Sequence, residues 1–511
     1  MSEMIKVGNY EVPKEDWEST PGSVQELVMK LVRENEELRK KVNRLEERLG
    51  EIEEQLNRNS KNSSRPPSKD EPWKKREKKI KEAGSRKRGG QKGHQGSQRY
   101  LYEPEECKEI QEVKPETCGH CGSELRGEDK NPYRHQVVEI PPVKPEVIEY
   151  RLHKLICPDC GYATRGKLPS GVTKKGYGER LSGLVGLLSA HHYQSHGLVQ
   201  DLLREVFGVV ISIGGINRLR QELNEAVGAS VEQAKIYVQS QEAMNSDETG
   251  YVQHNGDGKN PNNRKAWLWG LVTPLVSLFE IALSRSQEMA KSLIGSGFKG
   301  IVTSDRYGAY NWLPLAQRQI CWAHLKRDFI AMSQRSGASA EIGHALLRRQ
   351  RRLFRWWHRV RDGTMSRALF VEAVSHLRRG FQRELESAAA LPVAPKEKTP
   401  LAKTVRTCRQ ILKVEPALWT FVDYPFLEPT NNAAEQALRP AVIWRRLSFG
   451  SKSQGGSDFV SRMLTVTTSL QAQHRSVLDF LTQACHAARF GLEPPSLLPG
   501  LPLSTLFSTT E

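Results

Sequence analysis

Three acidic residues have the types and settings for phosphoryl transfer. Asp247 lies in the stretch AMNSDETGY, Ala243 to Tyr251; Asp305 in GIVTSDRYGAY, Gly300 to Tyr310; and Glu435 in PTNNAAEQALRP, Pro429 to Pro440. Two aspartates and a glutamate can hold two Mg²⁺ (or Mn²⁺) ions, which take oxygen ligands and stabilise the attacking and leaving oxygens of an in-line displacement. Each residue also has a plainer reading. Asn432 and Glu435 stand at capping-box spacing, and solvated aspartates at strand ends are common.

Four cysteines suggest a different chemistry. Cys118-Gly-His-Cys121 and Cys157-Pro-Asp-Cys160 are two CxxCG turns about 35 residues apart. Thiolates paired at that spacing can close a tetrahedral, structural Zn²⁺ site with no open catalytic position. A redox pair is the alternative, and His120 inside the first turn reads as exposed rather than as a ligand. Eight cysteines in 511 residues are too few for a disulfide framework and fit a reducing compartment.

The elements that would position the carboxylates are a sheet and a helix. Asp247 follows Tyr237 to Ser246, a run that can end a strand, and Asp305 follows the short apolar run Gly300 to Ser304, so both are expected at strand ends. Glu435 is expected in a first helical turn, because Thr430, Asn431 and Asn432 offer N-caps and Ala433 to Leu438 favours helix. Lys265 to Val272 and Leu275 to Ser284 read as a strand pair and Gln319 to Trp322 as a further strand, giving a mixed sheet with helices on its faces. The spacing is uneven: 58 residues separate Asp247 from Asp305 and 130 separate Asp305 from Glu435. The long second gap, 325–423, reads as a helical insertion. Its run RRQRRLFRWWHRVRDG, Arg348 to Gly363, suits a DNA backbone, with Trp356 and Trp357 as core residues on the plainer view.

Upstream, residues 24–57 carry a heptad pattern, with Val28, Asn35, Val42, Leu49 and Leu56 at a, and Leu31, Leu38, Leu45 and Ile52 at d. In a parallel homodimer Glu34 would meet Arg39, Lys41 would meet Glu46 and Arg48 would meet Glu53; a single amphipathic helix is the alternative. Residues 58–100 follow as a basic linker, with fifteen Lys or Arg against four Asp or Glu from Arg58 to Arg99. Such a segment cannot bury a core, and Lys74, Lys75, Arg76, Arg86, Lys87 and Arg88 are candidate phosphate contacts. Residues 101–170 form the zinc-binding domain, a ribbon with strands expected at Gln136 to Ile140 and Glu146 to Leu155. In 178–230, a helix from Leu198 to Phe207, a turn at Gly208 and a second helix from about Ser212 to Glu225 make a helix-turn-helix-like DNA-binding domain, with Arg218 and Arg220 facing a groove. The α/β region then occupies 237–324 and 424–492, and a tail, 493–511, reads as poorly ordered.

A formal charge of +17 and a pI near 9.4 argue for a polyanionic partner, nucleic acid before membrane. Ala266 to Leu283 is interrupted by Thr273-Pro274 and Glu280, so it reads as two strands and no membrane association is expected. The N-terminus lacks an apolar signal core, which argues against export.

The order of zipper, NSSRPPSKD, GGQKGHQG, paired CxxC turns, SDETG, SDRYGAY, CWAHLKRDF and NNAAEQALRP resembles the transposases of the insertion-sequence 66 family, a bacterial branch of the DDE transposases. The resemblance runs from about Val24 to Ser453. It implies a multidomain α+β chain whose RNase H-like α/β catalytic core holds Asp247, Asp305 and Glu435 as the metal-binding triad. The implied partner is DNA, both transposon inverted repeats and target. Hydrolysis at the element's end would free a 3′ hydroxyl, which would then attack target DNA. The resemblance also implies accessory proteins from the same element and a cytoplasmic, nucleoid-associated location. Arg439, one helical turn beyond Glu435, and Arg445 or Arg446 are candidate phosphate contacts. Thr430 and Gln436 depart from the family pattern without removing a ligand, the segment after Gln471 matches poorly, and His324 in CWAH reads as structural rather than as a base. A non-enzymatic zinc-containing DNA-binding regulator and an RNase H-like nuclease without strand transfer are the competing readings.

Overall fold

The computed structural model describes residues 4–8, 10–63 and 99–500. Lys74, Lys75, Arg76, Arg86, Lys87 and Arg88 lie outside the described residues, as does 501–511 of the tail. Helices and a mixed sheet make the chain α+β.

Two compact units are present, one holding 99–147 with 204–209 and the other holding the rest of the described chain. In the smaller unit, Gln136 brackets the backbone of Tyr102 by accepting from its N–H and donating to its carbonyl, each at 2.9 Å. The strand expected at Gln136 to Ile140 does not form. Pro141, Pro142 and Pro145 remove backbone donors, and Val137 and Ile140 remain more than three-quarters exposed, so no apolar face is covered.

The larger unit begins with a hairpin, β1 (Met4–Val7) and β2 (Tyr10–Pro13), then α1 (Lys14–Glu18) and α2 (Gly22–Leu56). The heptad residues from Leu31 to Leu56 fall on one face of α2, and Leu38, Leu45, Leu49 and Ile52 are exposed. Of the second expected ribbon strand only its end forms, as β3 (Lys154–Ile156) paired with β4 (Ala163–Arg165). Four helices follow, the second running on into residues 204–207 of the smaller unit: α3 (Glu179–Ala190), α4 (His196–Phe207), α5 (Ile213–Ala226) and α6 (Gly228–Gln239). Ser212 caps α5 by accepting from the Gly215 N–H at 3.0 Å, and Gly208 supplies the turn at φ +64°.

The sheet consists of β5 (Ala243–Tyr251), β6 (Ala266–Val272), β7 (Ser277–Ala282), β8 (Ile301–Ser304) and β9 (Arg318–Ile320), with α7 (Gln287–Ile294) crossing between β7 and β8. Its spatial order is β7-β6-β5-β8-β9. The first three strands are antiparallel neighbours, and β5, β8 and β9 are parallel. After β9 the chain runs through α8 (Trp322–Ser333), α9 (Ala338–Arg361), α10 (Arg367–Ala390), α11 (Pro400–Lys413) and α12 (Thr420–Asp423). It returns to the sheet in α13 (Asn432–Ser448), α14 (Gln454–Ala472) and α15 (Val477–Phe490).

Two cores result. One packs Met244, Leu268, Leu271 and Phe279 of the sheet against Met463, Leu464 and Phe480 of the last two helices. The other is an aromatic cluster in the helical insertion, where Trp322 meets Trp419 edge-on at 5.0 Å and Trp357 meets Phe421 at 5.4 Å. Trp357 is therefore a core residue, in keeping with the plainer view of the basic aromatic run.

Both sheet edges are sealed. At β9, Gln319 donates to the Leu418 carbonyl and accepts from the Phe421 N–H at 2.7 Å, while Thr420 donates to the Arg318 carbonyl. At β7, α14 presents three hydroxyls. Ser469, Thr465 and Ser461 accept from the backbone N–H groups of Ser277, Phe279 and Ile281, each at 3.0 Å. Uncovered ladder donors are the usual liability of an edge strand. The tail differs from expectation over 493–500. Leu497 is fully buried, its carbonyl accepts from Gln473, and the Pro495 carbonyl accepts from Ser230 at 2.7 Å.

Replacing Thr465 by Val keeps the volume and leaves the buried Phe279 N–H unpaired. We expect a loss of about 1–3 kcal/mol, seen as a lower denaturant midpoint; an unchanged midpoint would show that the hydroxyl seal contributes nothing.

Candidate functional site

Along β5 the side chains alternate. Met244, Ser246 and Glu248 are buried on one side, and Asn245, Asp247 and Thr249 are partly covered on the other. Asp247 lies in the middle of β5, opposite Gly270 of β6, and not at the strand end that the sequence suggests. It sits two residues beyond the last register pair with β8, Asn245 with Thr303, so it emerges where the parallel ladder stops. Asp305 follows β8 directly, as expected, and its Oδ1 accepts from the Tyr307 N–H at 2.8 Å, an Asx-type turn that fixes the carboxylate. Glu435 falls in the first turn of α13, also as expected.

What brings α13 to β5 is Asn431, which precedes the helix without capping it. Its side-chain amide donates to the Ser246 carbonyl at 2.8 Å, its Oδ1 accepts from Asn245 at 2.9 Å, and its backbone N–H bonds the Cys321 sulfur at 3.1 Å. Further along, Arg445 donates to Thr249 Oγ1 at 2.9 Å and to the Gly250 carbonyl. The helix is thus pinned at residues 245–246 and again at 249–250, on either side of Asp247.

The electrostatics are those of crowded acids. Burial, then Glu248, Asp305 and Glu435, pushes the Asp247 carboxyl up to about 8. Among the described residues the buried Glu435 Oε1 has no hydrogen-bond partner, with Arg327 at 3.5 Å and His324 Nε2 at 4.0 Å. Burial, then Arg327, lowers the His324 pKa below its ordinary value, and among the described residues its Nδ1 also lacks a partner. Among the described residues no group of three or more His, Cys, Asp or Glu is gathered closely enough to hold a metal ion. Like-charged carboxylates hold apart unless a cation draws them in.

Sequence reasoning passes over several residues here. Glu248 is buried beside Asp247, accepting from Arg285 at 2.6 Å and from Tyr310 at 2.6 Å. Arg285 in turn lies over the rings of Trp267 and Tyr307 at 4.5 and 3.7 Å. The even-numbered side of β5 is the available signal, since an acidic residue there must be paired or neutral. His324 and Arg327, one turn apart on α8, face Glu435, so His324 borders the acidic group as well as starting a helix.

The cysteine turns have matching backbones. Gly122 N–H bonds the Cys118 carbonyl and Gly161 N–H bonds that of Cys157, both at 2.9 Å, with the two glycines at φ +73° and +71°. Hydrogen bonds from Ser123 and Cys118 lower the Cys121 thiol to about 7, and bonds involving Cys160 and Asp159 lower Cys157. Lowered thiols are those prepared to ligate as thiolates. Cys118 and Cys121 belong to the smaller unit, Cys157 and Cys160 to the larger.

Of the proposed DNA contacts, Arg218, Arg439 and Arg446 are exposed. Arg220 is a correction. Its guanidinium lies 4.3 Å over the Phe459 ring and bonds His196, and burial lowers its pKa to about 10, so it packs inward and does not face a groove. The period-3.6 pattern of α5 places Arg220 next to the buried Leu219 and Leu223, and α14 covers that side.

Residues 182–458 match the family described as Transposase IS66 family, and residues 115–161, which span all four cysteines, match the zinc-finger binding domain of transposase IS66. Residues 18–100 match a family of unknown function. The first match covers more than half of the sequence and includes Asp247, Asp305 and Glu435. The chain belongs to the IS66 family of transposases. No curated protein and no solved structure matches it. Among the described residues no helix is long and apolar enough to cross a membrane.

Asn431→Ala strips one buried donor and one acceptor of partners and should cost about 2 kcal/mol or more by chemical denaturation. Its exposed neighbour Asn432→Ala should stay within about 0.5 kcal/mol. Equal effects would remove Asn431 from its anchoring role.

Proposed function

We propose that the protein is a DDE transposase that binds the terminal inverted repeats of an insertion sequence, cleaves the DNA ends by metal-dependent hydrolysis and joins the 3′ hydroxyl to target DNA. The observation that carries this reading is that Asp247, Asp305 and Glu435 lie within one another's field: the Asp247 carboxyl is raised to about 8 by burial first, then by Glu248, Asp305 and Glu435. Oxygen donors, excess negative charge and the orphaned Glu435 Oε1 suit a divalent cation. Mg²⁺ or Mn²⁺ held by the three carboxylates would activate the attacking oxygen and steady the leaving oxygen.

The chain's own residues orient that site. Asn431 and Arg445 fix Asp247 between them, the Tyr307 N–H holds Asp305, and Arg327 restrains Glu435. Arg439, exposed one turn beyond Glu435, is placed to meet a phosphate near the reacting bond. An antiparallel three-strand meander continued by two parallel strands, with one acid on the first strand and another after the fourth, supports an RNase H-like core interrupted by the helical insertion. Cys118, Cys121, Cys157 and Cys160 are the ligands we assign to a structural Zn²⁺, and the exposed apolar seam of α2 favours a homodimer. Arg218, Arg446 and the cations of residues 58–100 add phosphate contacts.

The decisive experiment is cleavage of a labelled duplex carrying the element's end in the presence of Mg²⁺. Wild type should nick at the end, and Asp247→Ala, Asp305→Ala and Glu435→Ala should bind equally but cut slower by about two orders of magnitude or more. Variants that cut like wild type would show the triad to be misassigned.

A pH linkage follows from Asp247. Because its folded pKa is raised to about 8 from 3.8, the metal-free protein should lose stability as pH climbs from about 4 to about 8, where the unfolded chain has already ionised. A divalent ion competes with that proton, so the Mn²⁺-induced rise in Tm should be larger at pH 8 than at pH 6, and Asp247→Asn should flatten the difference. Equal Mn²⁺ shifts at both pH values would contradict the coupling.

A further inference from the structure

We infer that the outward face of α9, in the helical insertion, is a track for the phosphate backbone of duplex DNA, an inference that rests on the proposed action on DNA. The helix sorts its residues sharply. Leu346, Leu347, Gln350, Leu353 and Trp357 are buried in the insertion's core, and Arg348, Arg351, Arg352, Arg355 and Arg359 are exposed. At 100° per residue the five arginines fall within an arc of about 100°, centred opposite the buried side. From Arg348 to Arg359 the stripe runs about 17 Å at the helical rise, a length of duplex axis that carries roughly ten phosphates.

Among the described residues the stripe also lacks paired counter-charges. Arg349, off to one side of it, turns to Glu384 of α10 and pairs with that carboxylate at 2.8 Å. Arg359 donates to the Thr364 carbonyl, and among the described residues no ion pair involves Arg348, Arg351, Arg352 or Arg355. The acids on α9 and its cap are Glu341 in the first turn and Asp362 after the last, so the twenty residues between them, about five and a half turns, contain none. Like charges three and four residues apart destabilise a helix. A fold that only needed a solvated face could have alternated signs at these positions. The guanidinium is also the cation best matched to phosphate oxygens, and the stripe holds five arginines and no lysine.

The stripe bears on how the insertion relates to chemistry. Both ends of the insertion are fastened beside the active site: the Trp322 N–H donates to the Pro429 carbonyl at 3.0 Å, and the Asn431 N–H bonds Cys321. DNA held along α9 is therefore held by a body that is hydrogen-bonded to the start of the Glu435 helix. Contacts of this kind position a duplex and carry no sequence information.

The test uses the full-length protein and fluorescence anisotropy on a duplex of arbitrary sequence, titrated at salt concentrations from about 50 to 200 mM. The variants are the triple Arg351→Gln, Arg352→Gln, Arg355→Gln and the matching triple to Lys. With three phosphate partners removed, the Gln variant should reduce the slope of log K against log salt by about 2 to 3, at about 0.9 per phosphate, and the Lys variant should restore most of it. Unchanged melting of the Gln variant separates weakened phosphate binding from unfolding, since Gln is nearly as good a helix former as Arg. If wild type binds duplex and the Gln variant shows the same slope, the track is wrong while the triad reading stands. If wild type binds no duplex at all, the DNA reading fails and the track falls with it.

Discussion

Asn431 is a fully buried polar residue whose hydrogen bonds reach three separate stretches of chain: β5 through Ser246 and Asn245, the end of β9 through Cys321, and α13, which it begins. A buried amide is tolerated only when its donors and acceptor are satisfied, and here the side-chain partners belong to β5, which carries Asp247, while the backbone partner Cys321 joins β9 to α8. The helix that brings Glu435 cannot shift along β5 without breaking these bonds. The aromatic core of the insertion, the closure of its two ends and the pairing of β5 with β8 all converge on this point, which is how a gap of 130 residues still returns Glu435 to Asp247 and Asp305.

The neighbourhood carries an evident local cost. Asp247 and Glu248 are adjacent and both have raised pKa values, chiefly through burial. The chain treats them differently. Glu248 is neutralised from within by Arg285 and the Tyr310 hydroxyl, and Arg285 is steadied between two aromatic rings. Among the described residues Asp247 receives only the N–H of the following residue and is left as the unmatched acid. An acid satisfied by protein groups is structural, and an acid left unmatched beside others is where an external cation would gain most, which is the division of roles that the proposed function assigns to the two neighbours.

Much of this arrangement is legible in the amino-acid sequence. The apolar run before Asp305 and the helix-favouring run Ala433 to Leu438 around Glu435 place both residues correctly, because strand burial and helix propensity are local signals, although Asn431 does not cap α13 with its side chain. Asp247 falls in the right strand but at the wrong position. Helix α6 ends at Gln239 without a glycine or proline stop, so the boundary within Tyr237 to Ser246 is hidden and β5 reads as ending early. The ribbon strands fail where prolines and uncovered side chains outweigh β-propensity. Arg220 and the buried tail residue Leu497 are misread because the elements that cover them, α14 and the chain around Gln473, are distant in sequence. The same lack of tertiary information hides the convergence of His324 and Arg327 on Glu435.

The hydroxyl seal on β7 has a geometric limit built into it. Alternate strand residues repeat about every 6.8 Å, and every fourth helical residue about every 6.0 Å. Ser461, Thr465 and Ser469 therefore run against Ile281, Phe279 and Ser277 like the two scales of a vernier, in register at three marks and drifting apart beyond them. Each step adds about 0.8 Å of offset and about 40° of rotation around the helix, so a fourth hydroxyl would begin to turn away from the strand. The six residues of β7 match the stretch over which α14 presents these three hydroxyls, and a longer outermost strand would need a second device to cover its donors.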